Sequence, residues 1–173
     1  MASIVDSVPA GSEGLIVGDN FQGNRTPYKD ADATGMIFGL RMKHTAKHIY
    51  RAILEGISYG TRNIIDNFDS QGYKISEIVA CGGVTKNEPF LQIISDVTSK
   101  KIVVNEDAQG GTLGCAVIGA AASQYDGDFL TATNKMVHRA KEVVPNNANK
   151  KVYDSGFEKY KDLYESTKHI NKY

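Results

Sequence analysis

Two glycines, Gly82 and Gly83, close the apolar run at residues 78–81, and Asn87 follows four positions later where an amphipathic run begins. A strand that ends in glycines and leads into a helix gathers backbone N–H groups and the positive end of a helix dipole at the carboxyl end of a sheet, a place where ligands bind. Glycine lacks the Cβ that would hold a flat base or a phosphate at a distance, and the Asn87 amide can both donate and accept hydrogen bonds. On these residues alone two readings stay open, a nucleotide site and a tight structural turn. A dinucleotide-binding domain is disfavoured, because GGVTKN lacks the third glycine of GxGxxG and no acidic residue ends a following strand.

Other side chains have the types for chemistry but not the company. His44 and His48 lie one helical turn apart, a spacing that suits Zn²⁺, yet neither an HExxH motif nor a third ligand accompanies them, so a structural or capping role is expected. Asp30 and Asp32 have the form of an acid/base pair but sit in a polar loop, where solvated turn residues are the expectation. Glu55, inside a helical run, is expected to fix local packing through a hydrogen bond or an ion pair. For Arg25 two readings stand, contact with a facing domain or substrate-side loop, and pairing with Asp30.

The elements that must position these residues follow from periodicity. GLIVG at residues 14–18 predicts a buried strand, and residues 19–34, polar with Gly23 and Pro27, predict a long surface loop. Residues 45–68 predict a helix N-capped by Thr45, with Ile49, Ile53, Ile57, Ile64, Ile65 and Phe68 inward. A turn at 70–73, a buried strand from Ile75, a helix at 88–99 and a strand at 101–104 follow. The Gly/Ala-rich stretch from Ala108 predicts a helix that approaches its neighbours closely, residues 128–144 another helix stopped before Pro145, and Tyr153, Phe157, Tyr160 and Tyr164 a docked helical stripe. This order predicts an α/β domain with neighbouring strands parallel.

The chain has 173 residues, 41% of them hydrophobic, enough for one domain with a real core. Twenty basic and twenty acidic residues give a formal charge of zero, which argues against nucleic acid or an acidic membrane surface as a partner. No stretch approaches the length of a membrane span, and the N-terminus lacks a basic region followed by an apolar run, so the cytoplasm is the expected location. Cys81 and Cys115, in apolar small-residue contexts, are expected to be reduced core thiols.

The stretch TGMIFGLRMKHTAKHIYRAILEGISYGTR resembles a signature of the FGGY family of carbohydrate kinases, which includes xylulokinases, ribulokinases and glycerol kinases. Gly35, Ile37, Gly39 and Leu40 are followed after seven residues by His48 and Ile49, then by Ala52, Ile53, Leu54 and Glu55, in the family's order. GLIVGDNFQGNRTPYKDADATG resembles the loop upstream of that signature, and ACGGVTKNEPFLQIISDV resembles the family's adenosine motif. EDAQGGTLGCAVIGAA resembles the Gly/Ala helix that comes next. The resemblance covers residues 11–164 and implies the C-terminal, nucleotide-binding domain of an actin-like ATPase of the ribonuclease H type, a mixed sheet with flanking helices. It further implies that Gly82, Gly83 and Asn87 line the adenine and ribose side of an ATP pocket, with Val84 and Lys86 as looser neighbours.

The same resemblance implies parts that have no counterpart here. The general base, the Mg²⁺ and first phosphate site, and the second phosphate loop are expected in a sugar-binding N-terminal domain and in the opening strands of the C-terminal one. No catalytic residue and no metal ligand are therefore assigned to this chain, which is expected to be inactive alone, with ATP or ADP as ligand and a sugar as substrate only in an intact kinase. A strand at 78–81 without its neighbours is expected to leave backbone and apolar groups open, so that the chain recruits another copy, rearranges or is marginally stable. A non-catalytic binding or regulatory module with the same fold remains the second reading.

Overall fold

The computed structural model describes residues 5–106, 109–123, 128–170 and 172. Strand β1 (Ile16–Gly18) is wholly buried and pairs antiparallel with β2 (Met36–Phe38), Ile16 opposite Phe38 and Gly18 opposite Met36. The predicted loop joins them and is pinned by mutual backbone hydrogen bonds of Asn24 and Asp30, at 2.7 and 2.8 Å. Helix α1 (Ala46–Ser70) then starts at its expected N-cap, Thr45, whose backbone N–H donates to His48 Nδ1 at 3.2 Å.

The inward face of α1 differs from the sequence expectation. Ile65 is buried and Ile49 and Ile53 pack against Leu15, Val17 and Ala52 as expected, but Ile57 and Phe68 are exposed, and burial extends to Arg51, Leu54, Glu55, Gly56, Ser58 and Tyr59. The cause is backbone approach. A Cβ on Gly56 would lie 2.5 Å from the Val17 carbonyl oxygen, so the bare side of the helix is the one that reaches β1.

The second sheet holds the remaining strands. Strand β3 (Glu77–Ala80) runs parallel to β4 (Lys101–Asn105), with Glu77 opposite Lys101 and Ala80 opposite Val104, while helix α2 (Glu88–Thr98) connects them. Helices α3 (Gly110–Ala122) and α4 (Phe129–Met136) follow, then β5 (Arg139–Val143) and α5 (Lys150–Thr167).

Strand β5 corrects the single helix expected over residues 128–144, and its antiparallel pairing with β4 gives the mixed sheet that the family resemblance implies, not the parallel neighbours suggested by element order. Ala, Lys and Glu favour helix locally, but the strand's partners outweigh that preference: Arg139 reaches Glu77, Lys141 reaches Glu88 and Glu142 reaches Lys101. Tertiary pairing decides the segment.

Two larger apolar clusters hold the described residues, beside a smaller one of Leu15, Val17 and Ala52 where α1 meets β1. One joins Ile16, Leu54, Tyr59, Ile93, Val97, Tyr153, Phe157 and Tyr160, so the stripe on α5 is docked as expected. The other joins Leu91, Ile102, Val104 and Val143 beneath the second sheet. Cys81 and Cys115 lie outside both and are exposed, against the expectation of core thiols. Cys81 follows β3, whose Val79 is 55% exposed, and Cys115 lies on α3, where Val117 is the buried residue.

Candidate functional site at the end of β3

The turn after β3 is built by a change of backbone handedness. Cys81 is extended, Gly82 adopts φ +76°, and residues Gly82–Lys86 form a 3₁₀ turn closed by Thr85 Oγ1 donating to the Gly82 carbonyl at 2.8 Å. A left-handed residue at Gly82 explains one glycine of the pair without any ligand. Gly83 is different. Its φ is not positive, and a Cβ there would meet nothing within 4 Å, so the turn itself does not require glycine at that position. The space above it is open.

Asn87 ends the turn and starts α2. Its Oδ1 accepts the Phe90 N–H at 3.3 Å, its carbonyl accepts the Leu91 N–H at 3.1 Å, and its own N–H donates to Val84 at 3.0 Å. The cap occupies the carbonyl side of the amide and leaves Nδ2 as a donor at the helix N-terminus. Val84 turns inward against the second cluster, whereas Lys86 is exposed. Glu88, in the first turn of α2, is engaged by Lys141, and this hydrogen bond holds its carboxyl below the usual value.

A second glycine pair arrives from α3. A Cβ on Gly110 would fall 2.8 Å from Cys81 Cβ, so the first turn of α3 lies directly against the end of β3, and Gly111 beside it faces open space. Two helix N-termini thus converge on the carboxyl end of one strand, an electropositive arrangement suited to an anion or to the polar edge of a base. Gly110 and Gly111 were not among the site residues expected from sequence. Their GG signal is the same as at residues 82–83, but only the fold brings the two pairs together.

The remaining candidates fall elsewhere. Glu55 is 1% exposed and accepts hydrogen bonds from Gly11 N (2.9 Å), Ser12 Oγ (2.8 Å) and Arg51 Nε (2.9 Å). Arg51 in turn donates to the Val5 and Val8 carbonyls and to Tyr153 Oη, so the pair ties residues 5–12 and α5 to α1. Burial pushes the Glu55 carboxyl upward against the pull of those donors. This is the packing role expected of it. Among the histidines, His44 Nδ1 accepts the Arg41 N–H at 3.0 Å, which with the His48 contact fits a capping role for both. Asp30 binds Tyr164 Oη and Lys172 Nζ rather than Arg25, and the Lys172 hydrogen bond draws its carboxyl down.

Likeness to known proteins identifies the family and the fold. The description "FGGY family of carbohydrate kinases, C-terminal domain" matches residues 2–123, and the chain belongs to that family. The ribulokinase of Bacillus licheniformis is 36% identical over 166 residues, covering 91% of this chain and 30% of the relative. The xylulose kinase of Bacillus subtilis is 30% identical over 167 residues, with 96% and 34% covered. Among solved structures, a ligand-bound xylulose kinase from Lactobacillus acidophilus superposes with a TM-score of 0.88 at 25% identity, over 98% of this chain and 34% of that one. A glycerol kinase from Plasmodium falciparum, solved with ADP, gives 0.77 at 25% identity, over 94% and 33%. The fold is the actin-like ATPase fold of these kinases, and the chain spans about a third of the length of the relatives it matches.

Proposed function

We propose that residues 11–164 act as the nucleotide-binding domain of a cytoplasmic carbohydrate kinase that transfers phosphate from ATP to a sugar or polyol, a pentulose or a related compound. Within it Gly82, Gly83, Val84, Lys86 and Asn87 form the adenosine side of the ATP site. The observation that carries this reading is Gly83, a glycine whose backbone does not demand it and whose missing side chain opens the carboxyl end of β3. That the Plasmodium falciparum glycerol kinase was solved with ADP supports an adenine nucleotide as the ligand.

The phosphoryl chemistry lies beyond the residues of this turn. Among the described residues no group of three or more His, Cys, Asp or Glu side chains is placed to hold a metal ion. What these residues do is bind and orient: Gly83 admits the base or ribose, and the Asn87 Nδ2 group donates to it. Phosphoryl transfer needs charge neutralisation and an activated hydroxyl in addition, which is why the chain alone is expected to turn over no sugar.

Calorimetry with ATP and with ADP tests the assignment. Weak binding with little preference between the two is expected, because the phosphates find few partners here. Asn87→Ala should weaken binding several-fold, in line with the roughly 0.5–1.5 kcal/mol of a neutral hydrogen bond. Asn87→Asp keeps an acceptor for the Phe90 N–H and removes the donor, so it should preserve the melting temperature and still weaken the nucleotide. Gly83→Val should do the same. Submicromolar ATP affinity with a large preference over ADP counts against the assignment, and loss of stability in Asn87→Ala with unchanged nucleotide binding leaves the residue as a helix cap only.

A further inference from the structure

A cleft of about 490 Å³ opens between the Glu13–Gly14 turn, the Phe38–Arg41 segment and the outer side of α5, and it shares no residue with the turn at 82–87. That volume suits a metabolite. Its apolar wall is Ile16, Leu163 and the ring of Phe38, which is 61% exposed. Its polar wall is Arg41, Lys159, Asp162 and Ser166.

The charges of this cleft do not cancel internally. Glu13 is spent on Lys43, whose hydrogen bond holds the Glu13 carboxyl low. Among the described residues no ion pair engages Arg41, Lys159 or Asp162, although these three charges line one cavity. Two free cations face one free carboxylate. A neutral ligand would leave a cation unanswered, and a purely apolar one would leave the polar wall unpaired.

We propose that this cleft is an accessory binding site for a small organic anion that carries hydroxyl groups, of the sugar-phosphate class. Arg41 and Lys159 hold the phosphate, the fork of Arg41 matching its oxygens. Asp162 accepts hydroxyl hydrogen bonds, and Ser166 can donate or accept. The C–H face of the sugar rests on Phe38, the most exposed apolar surface of the cavity wall. A second concavity of about 380 Å³ shares Glu13, Gly14, Ile16 and Lys159, so the groove continues along α5 and leaves room for the body of the ligand.

The site goes beyond the kinase reading and does not depend on it. Titration of the 173-residue chain with ribulose 5-phosphate, ribulose and inorganic phosphate, followed by heteronuclear NMR, separates the possibilities. Saturable binding of the sugar phosphate is expected, roughly tenfold or more tighter than either half-ligand, with shifts at Phe38, Arg41 and Lys159. The double substitution Arg41→Ala, Lys159→Ala should abolish it at unchanged melting temperature, because both side chains are exposed and unpaired. Asp162→Asn should erase the preference for the sugar phosphate over phosphate. Asn87→Ala should change nothing, which keeps a failure here distinct from a failure of the adenosine site. The proposal is overturned if ribulose 5-phosphate does not saturate, if inorganic phosphate binds equally well, or if the double variant binds as before.

Discussion

The two halves of the molecule handle their apolar surface in opposite ways. Between α1 and α5 it is sealed, although Ile57 and Phe68 on the far side of α1 stay exposed: Val17, Tyr59, Tyr153 and Phe157 are at most 1% exposed, and the Arg51–Glu55 pair closes the polar seam. Around β3, α3 and α4 it stays open, with Val79, Ile118, Phe129 and Leu130 each more than half exposed. The candidate nucleotide turn belongs to the open half. A binding edge must keep surface available for its ligand and for whatever faces it, and the rigidity needed to present that edge comes from the closed half behind α2, where Ile93 and Val97 join the first cluster.

Substitution in the closed half is expected to have the largest effect. Glu55→Ala leaves the buried Arg51 guanidinium without its carboxylate, and breaking such a pair costs about 3–5 kcal/mol. Urea unfolding measures it. A loss below about 1 kcal/mol, the range of an exposed pair, would show that the seam is not what closes this half.

One kind of substitution should give opposite signs in the two halves. A Cβ on Gly156 would lie 2.1 Å from Tyr59 Oη, so Gly156→Ala must displace a buried ring and is expected to cost about 1–3 kcal/mol. A Cβ on Gly114 of α3 meets nothing within 4 Å, and Gly114→Ala should stabilise by roughly 0.5–1 kcal/mol through helix propensity. Thermal melts of both variants compare the halves directly. Destabilisation of equal size at both positions would mean that α3 is as closely packed as α5.

The smallest effect should be a change of slope with pH. Burial pushes the Asp19 carboxyl up, although Tyr160 Oη donates to it at 2.6 Å. Its folded value therefore exceeds its unfolded one, and the folded state binds the proton more readily. This contribution to stability grows as pH falls from above the folded value toward the ordinary value of 3.8, and is lost as pH rises through the folded value. Asp19→Asn should flatten the melting temperature over that window and raise it near neutrality. An unchanged slope would show that the Asp19 charge is carried at no cost.

What could be read in advance was local. The glycine turn, the Thr45 start of α1, the Asn87 helix start and the docked stripe of α5 each follow from a few adjacent residues, and all are present. What could not be read depends on distant partners. Nothing within RAKEV announces a strand; Glu77, more than sixty positions upstream, supplies its Arg139 contact across the sheet. On α1 the aliphatic residues mark the inward face only in part, whereas Ala52 and Gly56, the small residues that permit close packing, mark where the helix meets β1. Likewise a cysteine's neighbours in sequence do not tell whether a sheet edge is covered.

Tyr160 and Tyr164 of α5 grip Asp19 and Asp30, and Tyr164 stacks on Tyr28 with ring centroids 3.8 Å apart. The loop between β1 and β2 is thus fastened by side chains that the ribosome delivers long after the loop itself. Tyr164 lies 134 residues beyond Asp30, and at about 5–20 residues per second that separation amounts to roughly 7–27 s of synthesis. Throughout that interval β1 and its loop have been made without the clasp that secures them, so this half of the chain completes its folding only as the end of α5 clears the exit tunnel.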